Sequence, residues 1–315
     1  MTALAAKIAA GNHKIIVRGD VSLAIYYDMP LYRPPSEGNN LIIQATLGCS
    51  FNHCTFCSMY KSKDYVERPL DAVFADIEAA ARDWPGAHRV FLADGDALAL
   101  STGNLIAILD RLAETFPALA RVSAYATPKN LTEKFVDELA ELKAKKLSLV
   151  YLGIESGSNA VLKRIIKGAS QKTFIRALTN AREAGLKVSA AVILGLGGTD
   201  HWEEHAAETA RLINAEPPTF LSTLQLHVEP EAYDEFMAAQ KGPFRFQDDE
   251  AILAEQERLI SLIDPPRPVI FRSNHASNCL ALAGNLPKDR DKLLAQIAWA
   301  RDNRAALRPD HLRAL

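Results

Sequence analysis

Residues 41–61 read LIIQATLGCSFNHCTFCSMYK. A short apolar run of strand type (41–46) passes without a linker into a loop led by Gly48 and carrying Cys49, Cys54 and Cys57. Three thiols within nine residues, with the fourth cysteine far off at Cys279, do not make the spread, even-numbered framework of a disulfide-stapled domain. Three thiolates on one loop can hold three irons of a cubane cluster and leave the fourth iron open, whereas clusters meant for electron transfer alone usually take four protein ligands. Two other readings stay open on the residues themselves. Cys54 and Cys57 alone would suit a redox pair, which leaves Cys49 unexplained. His53 or His88 could complete a zinc site with the three cysteines, although no second spaced ligand pair accompanies them.

Outward from this loop the hydrophobic period alternates. Runs of strand character recur at 88–93, 121–126, 147–153, 186–195 and 219–228, and the segments 70–82, 104–115, 131–143, 159–166, 171–183 and 202–213 carry helical period. Strands alternating with helices call for parallel β/α units joined by right-handed crossovers. An open doubly wound sheet shares this pattern, but a barrel accounts better for the unusual residues that follow each strand in turn, because it gathers its strand ends on one face. The predicted fold is α/β: a partial (β/α)6 TIM-like barrel over residues 41–228, an N-terminal extension over 1–40 lying across one end, and a helical C-terminal appendage over 229–315. The appendage should hold helices near 231–240, 248–263 and 289–303 and a short strand at 269–273. Asp200 with Glu203 has the form of a capping box at the head of the 202–213 helix, and Gly168 and Gly185 sit where helices stop.

A three-cysteine loop after strand one of a β/α barrel resembles the radical S-adenosylmethionine (radical SAM) superfamily, in particular the core shared by methylthiotransferases and oxygen-independent coproporphyrinogen oxidase-like enzymes. The commonest family spacing is C-x3-C-x-aromatic-C. Here it is C-x4-C-x-F-C, one residue longer between the first two cysteines, with the ligand count unchanged. The resemblance implies that Cys49, Cys54 and Cys57 bind a [4Fe–4S] cluster whose open iron chelates the amino and carboxylate groups of S-adenosylmethionine. It further implies a low-potential electron donor such as flavodoxin or ferredoxin, reductive cleavage to methionine and a 5′-deoxyadenosyl radical, and hydrogen abstraction from a substrate. Phe56 stands at the aromatic position, whose neighbourhood lies by the adenine in the family.

The remaining strand ends extend the resemblance. Asp94-Gly95-Asp96 aligns with a Gly-Gly-Glu-like segment that bonds the methionine amino group, with Gly95 and Asp96 at its last two positions. Read alone it is also an ordinary strand-to-helix turn. Glu155, in Gly153-Ile154-Glu155-Ser156, corresponds to a residue that contacts the ribose hydroxyls, and Lys167, twelve positions on, to one that reaches the methionine carboxylate. Without the resemblance, Glu155 is a charge at a helix N-terminus and Lys167 a helix-terminal lysine stopped by Gly168. Gly195 and Gly197, in Leu194-Gly195-Leu196-Gly197-Gly198, resemble the glycine segment that lets the backbone approach the adenine. No Lys-Ser/Thr follows, so this is not a P-loop.

Composition narrows the rest. Of 315 residues 48% are apolar and 23% charged, the formal charge is −2, and no apolar run is long enough to span a bilayer, so the expectation is a cytoplasmic globular enzyme without a membrane partner. Arg301, Arg304, Arg308 and Arg313 lack interleaved aromatics, which argues against a nucleic-acid patch. Cys279 alone cannot hold a second cluster of the kind that methylthiotransferases carry, and residues 1–40 are too few for a cobalamin domain. The substrate, small molecule or macromolecule, is left unnamed; Arg272, Asn274, His275 and Asn278, a polar run after an apolar strand, are candidates to meet it. An iron–sulfur electron-transfer or sensor protein without turnover, and a zinc-stabilised interaction module, are the alternatives.

Overall fold

The computed structural model describes residues 25–313. Of the expected N-terminal extension, residues 1–24 lie outside the described residues. The strands are β1 (Leu41–Gln44), β2 (Thr46–Leu47), β3 (Val66–Glu67), β4 (Arg89–Ala93), β5 (Arg121–Ala126), β6 (Leu147–Glu155), β7 (Lys187–Leu194), β8 (Phe220–Gln225), β9 (Val269–Ser273) and β10 (Leu282–Leu286). The helices are α1 (Leu70–Asp83), α2 (Thr102–Thr115), α3 (Pro128–Glu133), α4 (Val136–Ala144), α5 (Asn159–Arg164), α6 (Gln171–Glu183), α7 (Gly198–Ala215), α8 (Pro230–Ala239), α9 (Asp249–Leu262) and α10 (Arg290–Asp302).

The main sheet runs β1-β4-β5-β6-β7-β8-β9-β10, parallel throughout except for the antiparallel β9–β10 pair. It curls without closing. In β7 the outer row, Val188, Ala190, Val192 and Leu194, is buried, and the inner row, Ser189, Ala191 and Ile193, is half-exposed. Period-two burial thus separates a helix-covered face from an open lumen. Helices supply the matching apolar stripes: α6 buries Phe174, Ala177, Leu178 and Ala181. Each fully buried large side chain contributes about 1.5–3 kcal/mol.

Three departures from the sequence reading have local causes. The helix expected over 131–143 is broken in two, because Thr127 and Asn130 close a capping box around Pro128, Lys134 is extended, and Glu138 accepts the Phe135 amide at 2.8 Å to start a second helix. The Asp200–Glu203 capping box does not form: α7 begins at Gly198, and Asp200 turns outward to Arg245. The strand at 269–273 is no isolated strand within a helical tail. It pairs parallel with β8 and prolongs the sheet to a seventh parallel strand, and β10, unforeseen, edges it.

Residues 25–40 lie along β1 and under the lumen. Tyr27 donates to the Ile42 carbonyl at 2.9 Å, and the Gln44 side chain exchanges bonds with the Asp28 backbone. Buried Glu37 takes Arg121 at 2.8 Å and the Tyr151 hydroxyl at 2.5 Å. Phe91, Tyr125 and Tyr151 form an edge-to-face aromatic wall above it, with centroids 5.2–6.1 Å apart.

Candidate active site

The cysteine loop is locked to the segment after β4 at successive strand ends. Gly95 N–H donates to the Gly48 carbonyl at 2.9 Å, Asp94 accepts the Gly48 amide at 3.2 Å, and Asp96 accepts both the Ser50 amide, at 2.9 Å, and the Ser50 hydroxyl. A Cβ on Gly95 would stand 2.7 Å from Cys49 Cβ, so only glycine allows this approach. Asp94 also pairs with buried Lys63 at 2.9 Å, and Lys63 with Asp28 at 2.8 Å. Burial pushes both carboxyls up, against the pull of Lys63 on Asp94 and of Ser50 on Asp96. Asp96 therefore holds the loop as built. Ser50 and Lys63, its fastenings, carried no signal beyond being polar residues near cysteines.

The far side of the loop is tied to the chain after α5. Thr55 N–H donates to Ile165 O at 3.0 Å, and Phe51 lies against Gly168. Between them Lys167 Nζ meets Glu155 Oε1 at 2.9 Å, with side chains 13% and 10% exposed. Burial alone would lower the Lys167 pKa, but the Glu155 carboxylate outweighs it and the ammonium is held charged. Glu155 has φ of 64°, at a register shift between β6 and β7. A side chain on Gly153 would collide with the Glu155 carboxylate, so the pair sits in a cradle that a Cβ would fill. The structure pairs Glu155 and Lys167 with each other, beside the cysteines.

Cys49, Cys54 and Cys57 are free thiols, half-buried. Burial pushes all three up, Cys54 to about 11, with Lys167 pulling Cys54 and Cys57 back. Among the described residues no three His, Cys, Asp or Glu side chains converge on one point to hold a single metal ion. A cubane asks for something else, one thiolate at each of three separate corners, and three unpaired thiols on one fastened loop beside a lysine cation fit an anionic cluster of that kind. Phe56 packs on the main core from the same loop.

Around the lumen, Gly195 (φ 90°) donates its amide to Glu255 on α9 at 3.0 Å, and Gly197 precedes α7. The register sets Arg272 in the row of Gly153, Ala191 and Ser222, facing the lumen. Arg272 Nη1 bonds the Phe271 and Gly284 carbonyls at 2.7 and 3.3 Å. Asn274 is exposed, and His275 caps its own turn through Ser277 at 2.9 Å. Asn278 is spent on structure: its amide bonds Gln225 N, Thr223 O and Ser273 Oγ at 2.7–2.9 Å. The reach across the open side of the barrel comes from α8, whose Glu235 meets Lys61 of the cysteine loop at 2.9 Å. Tyr125 and Tyr151, missed as site residues, were detectable from the period-two alternation of β5 and β6.

Comparison with known proteins follows the same ground. The family model described as Radical SAM superfamily matches residues 43–213. A methylthiotransferase-like protein of Methanocaldococcus jannaschii is 31% identical over 169 residues, covering 50% of this chain and 36% of that one. A tRNA-2-methylthio-N(6)-dimethylallyladenosine synthase of Aromatoleum aromaticum is 29% identical over 197 residues, covering 58% and 42%. The chain thus spans less than half the length of these relatives. Among solved structures, coproporphyrinogen III oxidase of Escherichia coli superposes with a TM-score of 0.52 at 18% identity, over 70% of this chain and 52% of that one, a likeness of fold.

Proposed function

The chain belongs to the radical SAM superfamily, and from that premise we propose that Cys49, Cys54 and Cys57 ligate its [4Fe–4S] cluster, that Glu155 and Lys167 receive the cofactor, and that hydrogen abstraction takes place at the lumen mouth. When bound, the cluster supplies the electron that cleaves S-adenosylmethionine to methionine and a 5′-deoxyadenosyl radical. The observation that carries the reading is the fastened cysteine loop lying against the Glu155–Lys167 pair. Lys167 presents a fixed cation for the methionine carboxylate and Glu155 an acceptor for ribose hydroxyls, each in exchange for part of their mutual bond. Gly95 and Asp96 border the methionine amino group, while Phe56 and the Gly195–Gly197 backbone border the adenine.

Residues 41–228 form the catalytic core, to which β9 and β10 add at the sheet edge, residues 25–40 lie beneath it, and α8 of the C-terminal part shields the mouth from water. The substrate enters above the Phe91–Tyr125–Tyr151 wall, and an anionic group on it meets the Arg272 nitrogens not used on carbonyls. The relatives named for tRNA methylthiolation share this core with the chain. On the C-terminal surface Arg301, Arg304 and Arg313 are paired with Glu250, Glu257 and Asp249. Four free thiols and the need for a flavodoxin- or ferredoxin-like donor fit the cytoplasm.

Anaerobic reconstitution tests this. The protein should carry about four irons with matching sulfide, lose them in Cys49→Ala, Cys54→Ala or Cys57→Ala but not in Cys279→Ala, and cleave S-adenosylmethionine when reduced. Arg272→Ala should cleave the cofactor while transferring less deuterium from a labelled substrate to 5′-deoxyadenosine. Stoichiometric zinc without sulfide would overturn the assignment.

A further inference from the structure

Behind the lumen runs a buried polar chain that the cluster and its ligands do not use. Ser156 Oγ lies 2.7 Å from His205 Nδ1, and His205 Nε2 lies 3.1 Å from Ile193 O and 3.3 Å from Glu255 Oε1. Glu255 Oε1 also accepts the Gly195 amide at 3.0 Å. His205 on α7 is 1% exposed and Glu255 on α9 is 0% exposed. Two helices thus grip two strand-end segments, one following Glu155 and one at Gly195.

The hydrogens assign themselves. His205 Nε2 faces two acceptors and so carries its proton, leaving Nδ1 to accept from Ser156, whose oxygen takes the Ser158 amide at 3.0 Å. A neutral imidazole satisfies every partner, and burial pulls its pKa down to about 4. Glu255 Oε2 and Gln247 Oε1, by contrast, are both buried without a partner, and the two side chains adjoin. One of the two Gln247 amide hydrogens goes to Ala251 O at 3.3 Å, and neither reaches Glu255 Oε2 within hydrogen-bond geometry. Two adjacent buried acceptors without a donor are costly, and one proton on Oε2 relieves both. Burial pushes the Glu255 carboxyl up to about 8, and the Gly195 amide and Gln247 do not reverse this. The charged groups of the surrounding elements are occupied elsewhere: Glu204 of α7 bonds Ser158, Arg245 of the loop before α9 pairs with Asp200, and Arg301 of α10 pairs with Glu250 and Glu257.

We propose that Glu255 is a positioning residue acting as a neutral carboxylic acid, donating its Oε2 proton to Gln247 while Oε1 anchors the Gly195 amide, so that α9 sets the strand-end backbone on which the adenine rests. This rests on the reading of the Gly195 segment given above, and the test keeps the two apart. Infrared difference spectra of the whole chain, wild type minus Glu255→Gln, should show the carbonyl band of a protonated acid at neutral pH, fading as pH passes about 8. In the cluster-loaded protein, the S-adenosylmethionine affinity of wild type should fall about 5- to 10-fold relative to Glu255→Gln between about pH 6.5 and about pH 9. The glutamine keeps both the acceptor for Gly195 and a donor for Gln247. Glu255→Ala should be weaker throughout. Absence of the acid band overturns the proposal, and so do affinities of wild type and Glu255→Gln that run parallel with pH. Gly195→Ala, strained at its positive φ, reports on the reading beneath: unchanged cofactor affinity there removes the adenine from Gly195 and the positioning role with it, while the band still reports the acid.

Discussion

Glu155 holds a left-handed backbone that costs a non-glycine residue about 1–2 kcal/mol, and it does so at a buried ion pair. The conformation persists because β6, the adjacent Gly153 and Lys167 leave the carboxylate no other place. Lys167→Ala should weaken cofactor affinity roughly 10- to 100-fold, the worth of a charge-assisted contact of about 1.5–3 kcal/mol, with the cluster absorbance intact. It should also cost stability, because a lone carboxylate stays buried; adding Glu155→Gln should recover the stability in denaturant but not the affinity. Equal recovery of both would reduce the pair to a helix-end contact. At this scale the cysteine trio was legible from residue type and count, while Glu155 and Lys167 were reached only through the resemblance, since each alone reads as a charge at a helix end. Lys63, Ser50 and Glu255 were not, because a polar residue declares its partner only when the chain has folded.

At the scale of elements, the site depends on the cysteine loop being fastened to the turn after β4. The fastening is steric as well as polar: Gly95 stands where a Cβ would press on both Cys49 Cβ and Gly48 O at 2.7 Å. Gly95→Ala should therefore displace the loop and cut iron content on reconstitution by half or more, while Gly86→Ala, with nothing within 4 Å of the new methyl, should retain full iron. Retained iron in Gly95→Ala would show the loop to be adjustable. Strand positions were readable from apolar runs because parallel strands are covered on the helix side along their whole length. The break between α3 and α4 was not, since 131–143 keeps its apolar period straight through it and the cap at Thr127 competes locally with propagation. β10 escaped because Leu282–Leu286 is a short edge strand interrupted by Gly284.

Over the whole molecule the burial of His205 and of Glu255 links stability to pH with opposing signs. His205 is lowered from 6.5 to about 4, so the unfolded chain binds its proton first and stability drops as pH falls from 6.5 toward 4. Glu255 is raised from 4.5 to about 8, so the native state keeps a proton that the unfolded chain has lost, and stability declines as pH rises from 4.5 to 8. Between 4.5 and 6.5 the two contributions cancel; between 6.5 and 8 only the glutamate acts, removing about 2 kcal/mol at about 1.36 kcal/mol per pH unit. Glu255→Gln deletes that contribution and leaves the histidine slope between about pH 4 and 6.5 in place. Urea unfolding of both proteins across this range isolates the glutamate, because every other titrating group cancels in the difference between them. That difference should slope downward for wild type from about 4.5 to about 8 and flatten beyond. A difference independent of pH would mean that Glu255 is ionised in the native state, with a cation or an ordered water supplying what its second oxygen lacks.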